Sequence, residues 1–239
     1  MSTLVITPTY SEHENLGAFV TELFRRVPDA HLLVVDDASP DGTGELADEI
    51  ARKDERVRVL HRPSKMGLGT AYVEGFRVAL RDGYDVAVEM DADLSHDASV
   101  VPEMLREIDR GADVVVGSRA VPGGRIVGWG PLRHAMSKGG SLYARTILGV
   151  DDVLDMTTGF KAYKAAALRA IDIETLRSNG YSFQIETTYR ALRKNLRVVE
   201  IPITFLDRRV GQSKMSRRIF AEAVIEVLRL RADALRGRI

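Results

Sequence analysis

Apolar residues along this chain follow two alternating patterns. Short continuous runs rich in Val, Leu and Ile predict strands at residues 4–7, 31–35, 57–60, 86–90 and 114–116. Between them, apolar residues at three- and four-residue spacing predict helices at 14–27, 43–53, 67–82 and 100–110. Leu16, Phe19, Val20, Leu23 and Phe24 mark the first helix, and Pro8 stops the first strand. Strands of this kind alternating with helices predict an α/β fold, a mainly parallel sheet with helices on both faces. Beyond Gly117 the pattern loosens into a Gly/Pro/Arg-rich loop at 117–130 that contains Trp129. A helix at 134–148, a strand at 158–163, a short helix at 164–170 and a helix at 182–194 follow. A strand at 198–205 is interrupted by Pro202, and a polar loop spans 208–214. The last helix, 216–235, is amphipathic, with Ile219, Phe220, Ala223, Val224, Val227 and Leu228 on one stripe. The expected organisation is one domain over 1–215 and a C-terminal amphipathic helix over 216–239.

The strand at 86–90 leads into VAVEMDADLSHD and ends in Asp91 and Asp93. In extended backbone, residues i and i+2 point the same way, so the two carboxylates project together where the strand leaves the sheet. They repel unless a positive charge sits between them. A divalent cation carrying phosphate oxygens satisfies both, and a pair of solvated loop acids is the plainer alternative. Ligands of such sheets bind beyond the carboxyl ends of the strands. Polar clusters at 9–14, 36–41 and 91–97 end three strands on one rim, which favours a nucleotide-like ligand.

Composition adds an asymmetry. Lys plus Arg and Asp plus Glu both number 34, so the net charge is zero. Yet Arg119, Arg125, Arg133, Lys138 and Arg145 follow one another with no acid among them, while the N-terminal half holds most of the acids. Arg133 and Ser137 stand one helical turn apart and can share a face. Guanidiniums with a hydroxyl suit a phosphate, although a solvated basic loop would look the same. The chain has no cysteine, which excludes disulfides and thiolate metal sites. It shows no signal-peptide pattern and no run long enough to span a bilayer. Gly67, Gly69 and Gly75 have the wrong spacing for a dinucleotide loop, and neither a P-loop nor a GxSxG elbow is present. The histidines lack zinc spacing, so His96 is expected as a surface residue or a support behind the aspartates. The basic residues have little aromatic interleaving, so nucleic acid is not an expected partner.

Eight ordered motifs carry a resemblance: PTYSEHEN, VVDDASPDGT, KMGLGTAY, MDADLSH, GSR, TTGFKAY, GYSFQIE and DRRVGQSK. Together they make the chain similar to the polyprenyl-phosphate mannosyltransferases, the dolichol-phosphate mannose synthase branch of the inverting family 2 glycosyltransferases. The resemblance spans about residues 4 to 215 and implies a Rossmann-like GT-A domain. It implies guanosine diphosphate contacts at Pro8, Tyr10 and Glu12, and base and ribose contacts at Val35 and Asp37. It assigns Asp91, Ala92 and Asp93 to the diphosphate and to Mg2+ or Mn2+. Ser95 stands in the third metal position, where the family usually has glutamine. It places Arg119 beside the donor, Arg119, Arg133 and Ser137 at the acceptor phosphate, and Arg208 and Lys214 over the nucleotide.

The implied reaction moves mannose from GDP-mannose to a polyprenyl or dolichyl-type phosphate, with Asp93, Arg119, Arg133 and Ser137 as the catalytic set. A phosphate monoester has its second pKa near about 6, so it needs no strong general base. Transfer from another donor such as UDP-glucose, or a non-catalytic nucleotide-sugar-binding subunit, are the competing readings. A lipid acceptor implies a cytoplasmic protein held peripherally at the membrane surface. The C-terminal helix, Trp129 or a separate membrane-anchor protein would make that contact, unless the helix instead packs on the sheet.

Overall fold

A computed structural model describes residues 1–178, 180–207 and 217–239, with the side chains of residues 181 and 217–222 outside that description. The first four apolar runs form β1 (Thr3–Thr9), β2 (His31–Asp36), β3 (Val57–His61) and β4 (Val86–Glu89). They lie parallel in the order β3-β2-β1-β4. Alternate residues serve opposite faces, as a pleated strand requires. Val5, Leu32, Val34 and Val88 pack with Leu16, Phe19 and Leu23 of α1 (His13–Arg26) and Ala47 of α2 (Thr43–Lys53). Leu4, Ile6, Leu33, Val35 and Ala87 pack with Tyr72 and Phe76 of α3 (Leu68–Arg81). Gly75 lets α3 press against β1, because a Cβ there would stand 2.4 Å from Cγ2 of Ile6.

After α4 (Val101–Asp109), β5 (Val114–Ser118) extends the sheet, but not directly beside β4. The strand β7 (Lys161–Lys164) lies between them, antiparallel to both. Its direction is not readable from its apolar pattern. Because β7 reverses, β5 runs parallel to β4 and the two end on the same rim. The loop after β5 contains a short strand, β6 (Arg125–Val127), and α5 (Pro131–Leu148) starts three residues earlier than its apolar pattern predicts. Pro131 at the first helical position explains that start, since its fixed φ suits a first turn and its missing N–H is not needed there.

The helices α6 (Ala165–Ala170) and α7 (Gly180–Arg193) join α3 on the second face. The strand broken at Pro202 serves two sheets. Its first half, β8 (Val198–Pro202), is parallel to β5, and its second, β9 (Thr204–Leu206), pairs with β6. Between them Ile203 donates to Ser118 O at 2.9 Å and accepts from Arg125 N at 2.9 Å, so the chain crosses from sheet to ribbon there.

The last helix, α8 (Arg217–Leu235), packs on α5 and α7 rather than on the sheet. It buries Val227, Leu230 and Ala234 beside Ala144, Leu148, Ile185 and Tyr189. Leu228, placed on the predicted stripe, is half exposed, and so is Ile225. The side chains of Ile219 and Phe220 lie outside the described residues.

Candidate active site

Three strand ends meet at one rim. Pro8 lies opposite Val35 and Thr9 opposite Asp36 in the β1–β2 pair, while β4 flanks β1 on its other side. Just past each strand stands a non-glycine residue in the left-handed region: Ser11 (φ 60°), Ala38 (φ 54°) and Leu94 (φ 61°). Such backbone costs about 1–3 kcal/mol per residue and clusters where a ligand site dictates the loop path.

Each acid at the rim is held in place. Tyr72 donates its hydroxyl to Oδ1 of Asp91 at 3.0 Å. Its ring is fully buried and stacks on Phe183 with centroids 6.0 Å apart. Burial and the neighbouring acids, Asp91 first among them, raise the Tyr72 hydroxyl well above its ordinary value, so it stays a donor. Oδ1 of Asp93 accepts from Ser95 N at 3.0 Å and from Ser95 Oγ at 2.5 Å. His96 is buried, stacks on Phe160 at 4.8 Å and accepts from Asp91 N at 3.4 Å, so it supports the aspartates from behind. Glu89 and Lys161 face each other across the β4–β7 pair and are fully buried. Burial pushes Glu89 up to about 8 and Lys161 down to about 8, with each partner's charge opposing the other's shift.

At the β1–β2 end of the rim, Tyr10 and Glu12 are half buried, and Lys65 Nζ lies 3.7 Å over the Tyr10 ring. Asp37 pairs with Arg62 at 2.7 Å and accepts from Met66 N and Gly67 N at 3.2 and 3.0 Å. It thereby ties the end of β2 to the start of α3. Val35 and Ala92 turn their side chains into the core, so what they present to a ligand is backbone.

On the other side, Arg119 follows β5 and binds Asp155 through Nε at 2.7 Å. Arg133 on α5 pairs with Asp207 at 2.7 Å and lies 4.0 Å over the Trp129 ring. Trp129 is half buried against Phe205, with centroids 5.2 Å apart, and does not extend outward as a surface anchor. Phe205 meets His96 edge-on at 5.5 Å. A continuous row of rings thus joins the basic side to the aspartates. Ser137 is half buried on α5, one turn beyond Arg133. Arg208 and Lys214 lie outside the described residues.

The donors at the rim fit a hard divalent cation. Among the described residues no group of three or more His, Cys, Asp or Glu gathers into a metal cage. Two fixed carboxylates, with the remaining positions taken by ligand oxygens, are the arrangement suited to a metal shared with a diphosphate. Asp91 and Asp93 would hold it. The Ser95 hydroxyl is engaged with Asp93 and acts on the carboxylate's orientation.

The family model described as Glycosyl transferase family 2 matches residues 4–172. The chain belongs to glycosyl transferase family 2. It is 50% identical over 243 residues to an undecaprenyl-phosphate mannosyltransferase of Micrococcus luteus, covering 100% of this chain and 99% of the relative. It is 49% identical over 240 residues to the polyprenol monophosphomannose synthase of Mycolicibacterium smegmatis, covering 98% and 90%. A solved glucosyl-3-phosphoglycerate synthase of Mycobacterium tuberculosis, in complex with Mn2+, UDP and phosphoglyceric acid, shares the fold. Its TM-score is 0.68 at 19% identity, over 96% of this chain and 78% of that one. The GT-A-like sheet expected from the motifs is therefore the architecture of this family 2 glycosyltransferase.

The glycosyltransferase brings most of the expected site residues to one edge, in two groups. Pro8, Tyr10, Glu12, Val35, Asp37, Asp91, Ala92, Asp93 and Ser95 share the β1–β2–β4 rim. Arg119 follows β5, two strands from β4 and roughly 10 Å across the sheet, and Arg133 and Ser137 lie on α5. The sequence reading left Tyr72, Arg62, Asp155 and Asp207 unassigned, although each but Asp155 and Arg62 lies within a quoted motif. Their partners sit far off along the chain, which motif spacing does not reveal.

Proposed function

We propose that the chain is an inverting transferase moving mannose from GDP-mannose to a polyprenyl phosphate. The observation that carries the reading is the pairing, on one rim, of a two-carboxylate cluster with a separate basic cluster at Arg119, Arg133 and Ser137. One suits a metal-bound diphosphate and the other a second phosphate. The near full-length likeness to proteins named as an undecaprenyl-phosphate mannosyltransferase and a polyprenol monophosphomannose synthase supports mannose as the group transferred and a polyprenyl phosphate as the acceptor.

In this reading a phosphate oxygen of the acceptor attacks the anomeric carbon as the bond to the diphosphate breaks. Arg119, Arg133 and Ser137 orient the acceptor and offset its charge. Asp91 and Asp93, fixed by Tyr72 and Ser95, hold the donor's diphosphate end. Mg2+ or Mn2+, when bound, supplies positive charge to the departing nucleoside diphosphate. A phosphate monoester acceptor is already ionised near neutral pH and needs no general base.

The same reading places the protein peripherally on the cytoplasmic face of a membrane, with or without a separate anchor protein. No helix among the described residues is long and apolar enough to cross one. Leu132 and Leu142 on α5 are 75% and 61% exposed, and Ile225 and Leu228 on α8 are both 50% exposed. The two helices touch where Tyr143 donates to Val224 O at 3.1 Å. Apolar residues beside the exposed Lys138 suit an anionic lipid surface.

Turnover of GDP-mannose against UDP-glucose, with a short prenyl phosphate as acceptor, tests the assignment. Mannosyl-phosphoprenol from GDP-mannose alone supports it. Preferential use of UDP-glucose, or nucleotide binding without transfer, refutes it.

A further inference from the structure

Asp155 lies in the turn between α5 and β7, and it reaches Arg119 36 positions earlier in the chain. Its carboxylate accepts from Arg119 N at 3.0 Å, Nε at 2.7 Å and Nη2 at 2.8 Å. The side chains are 7% and 3% exposed. Burial alone would raise the Asp155 carboxyl, but the Arg119 charge and hydrogen bonds hold it below the usual aspartate value. A guanidinium gripped on two donors by a carboxylate has its plane and direction fixed.

The grip extends to both sides. Glu200 on β8 accepts from Leu154 N at 2.7 Å and Asp155 N at 2.9 Å, which anchors the turn to the sheet. Thr157 Oγ1 accepts from Arg119 Nη2 at 2.8 Å and lies 3.4 Å from Ser141 Oγ on α5. Ser141 stands one turn beyond Ser137 and two beyond Arg133, on the same side of α5. The turn therefore links the end of β5 to the helix that carries the other two acceptor residues.

We propose that Asp155 is a positioning residue for the acceptor phosphate. It fixes the Arg119 guanidinium and, through Thr157, sets its spacing from the Arg133–Ser137 turn. The proposal rests on the reading of Arg119, Arg133 and Ser137 as acceptor residues. A merely structural ion pair would support the fold without favouring either substrate. Positioning affects the acceptor more than the nucleotide, because the side-chain contacts of Asp155 and Thr157 go to Arg119 and Ser141 and not to Asp91 or Asp93.

The test is calorimetric titration of farnesyl phosphate into wild type, Asp155→Asn and Thr157→Val, each loaded with GDP and Mn2+, with GDP titrated separately. Asp155→Asn is expected to weaken farnesyl phosphate roughly tenfold, the scale of one charge-assisted contact, and to leave GDP within about twofold. Thr157→Val keeps the Arg119–Asp155 ion pair and removes the hydroxyl's contacts with Arg119 Nη2, Asp155 Oδ1 and Ser141 Oγ, and it is expected to weaken farnesyl phosphate several-fold, with Thr157→Ser restoring it. Unchanged farnesyl phosphate affinity in both variants, or equal losses for both ligands, overturns the proposal. Should Asp155→Asn not fold, Thr157→Val decides the matter. A wild type that does not bind farnesyl phosphate overturns the acceptor reading itself, which is a different result from variants that bind as well as wild type.

Discussion

Tyr72 reaches across from α3 to donate its hydroxyl to Asp91 at 3.0 Å, joining a helix of the second core to the last strand of the rim. The bond orients the Asp91 carboxylate from the core side. Tyr72→Phe keeps the ring stacked on Phe183 and Phe76 and removes only the hydroxyl. A hydrogen bond to a charged group contributes about 1.5–3 kcal/mol, so kcat/KM for the donor should fall roughly tenfold or more. Steady-state kinetics and a melting curve check this: the rate falls while the protein stays folded, with a melting temperature lowered by several degrees. An unchanged donor kcat/KM would remove Tyr72 from the site.

Ser95 gives a second test of how the aspartates are held. Its hydroxyl lies 2.5 Å from Asp93, so Ser95→Ala should loosen Asp93 without removing a metal ligand. Supporting contacts of this kind typically change metal affinity by about 10–100-fold. Mn2+ titration in the presence of GDP should show Ser95→Ala weakened but still binding, and Asp93→Asn weakened far more. Equal losses in the two would make Ser95 a direct ligand.

The Asp155–Arg119 pair predicts an acid dependence. The folded-state pKa of Asp155 lies below the ordinary value of 3.8, so the folded protein binds this proton less readily than the unfolded chain. The pair's stabilisation is complete above 3.8 and is lost as pH falls through the lower folded value. Urea unfolding of wild type and Asp155→Asn should differ most at neutral pH and converge below 3.8. A gap that widens on acidification would contradict the assignment.

Leu132 and Leu142 carry the membrane prediction. Both are exposed on α5, so replacing them with asparagine should leave the fold intact. Wild type should sediment with anionic vesicles in a salt-sensitive way, and the double variant should not. Equal sedimentation of the two would place the lipid contact elsewhere.

The parallel half of the fold was legible because each buried strand is a continuous apolar run followed by an amphipathic helix. The rim was legible because its acids and turns fall directly after those strands. β7 was placed near its true position, yet its antiparallel direction depends on which neighbours it meets, and Lys161 buried opposite Glu89 gives no local sign of that. Pro202 was readable as a break, but not as the crossing into a ribbon with residues 125–127. On α8, which residues turn inward depends on α5 and α7, so Leu230 and Ala234 are buried while Leu228 remains half exposed. The long-range partners Tyr72–Asp91 and Arg119–Asp155 follow from the folded sheet, not from motif spacing.

The most direct test of the central claim is transfer of radiolabelled mannose from GDP-mannose to a short prenyl phosphate, with and without Mg2+ or Mn2+, comparing wild type with Asp93→Asn. The account predicts metal-dependent formation of prenyl-phosphate mannose by wild type and a loss of roughly two or more orders of magnitude in the variant. Wild-type levels of metal-dependent transfer by Asp93→Asn would contradict it.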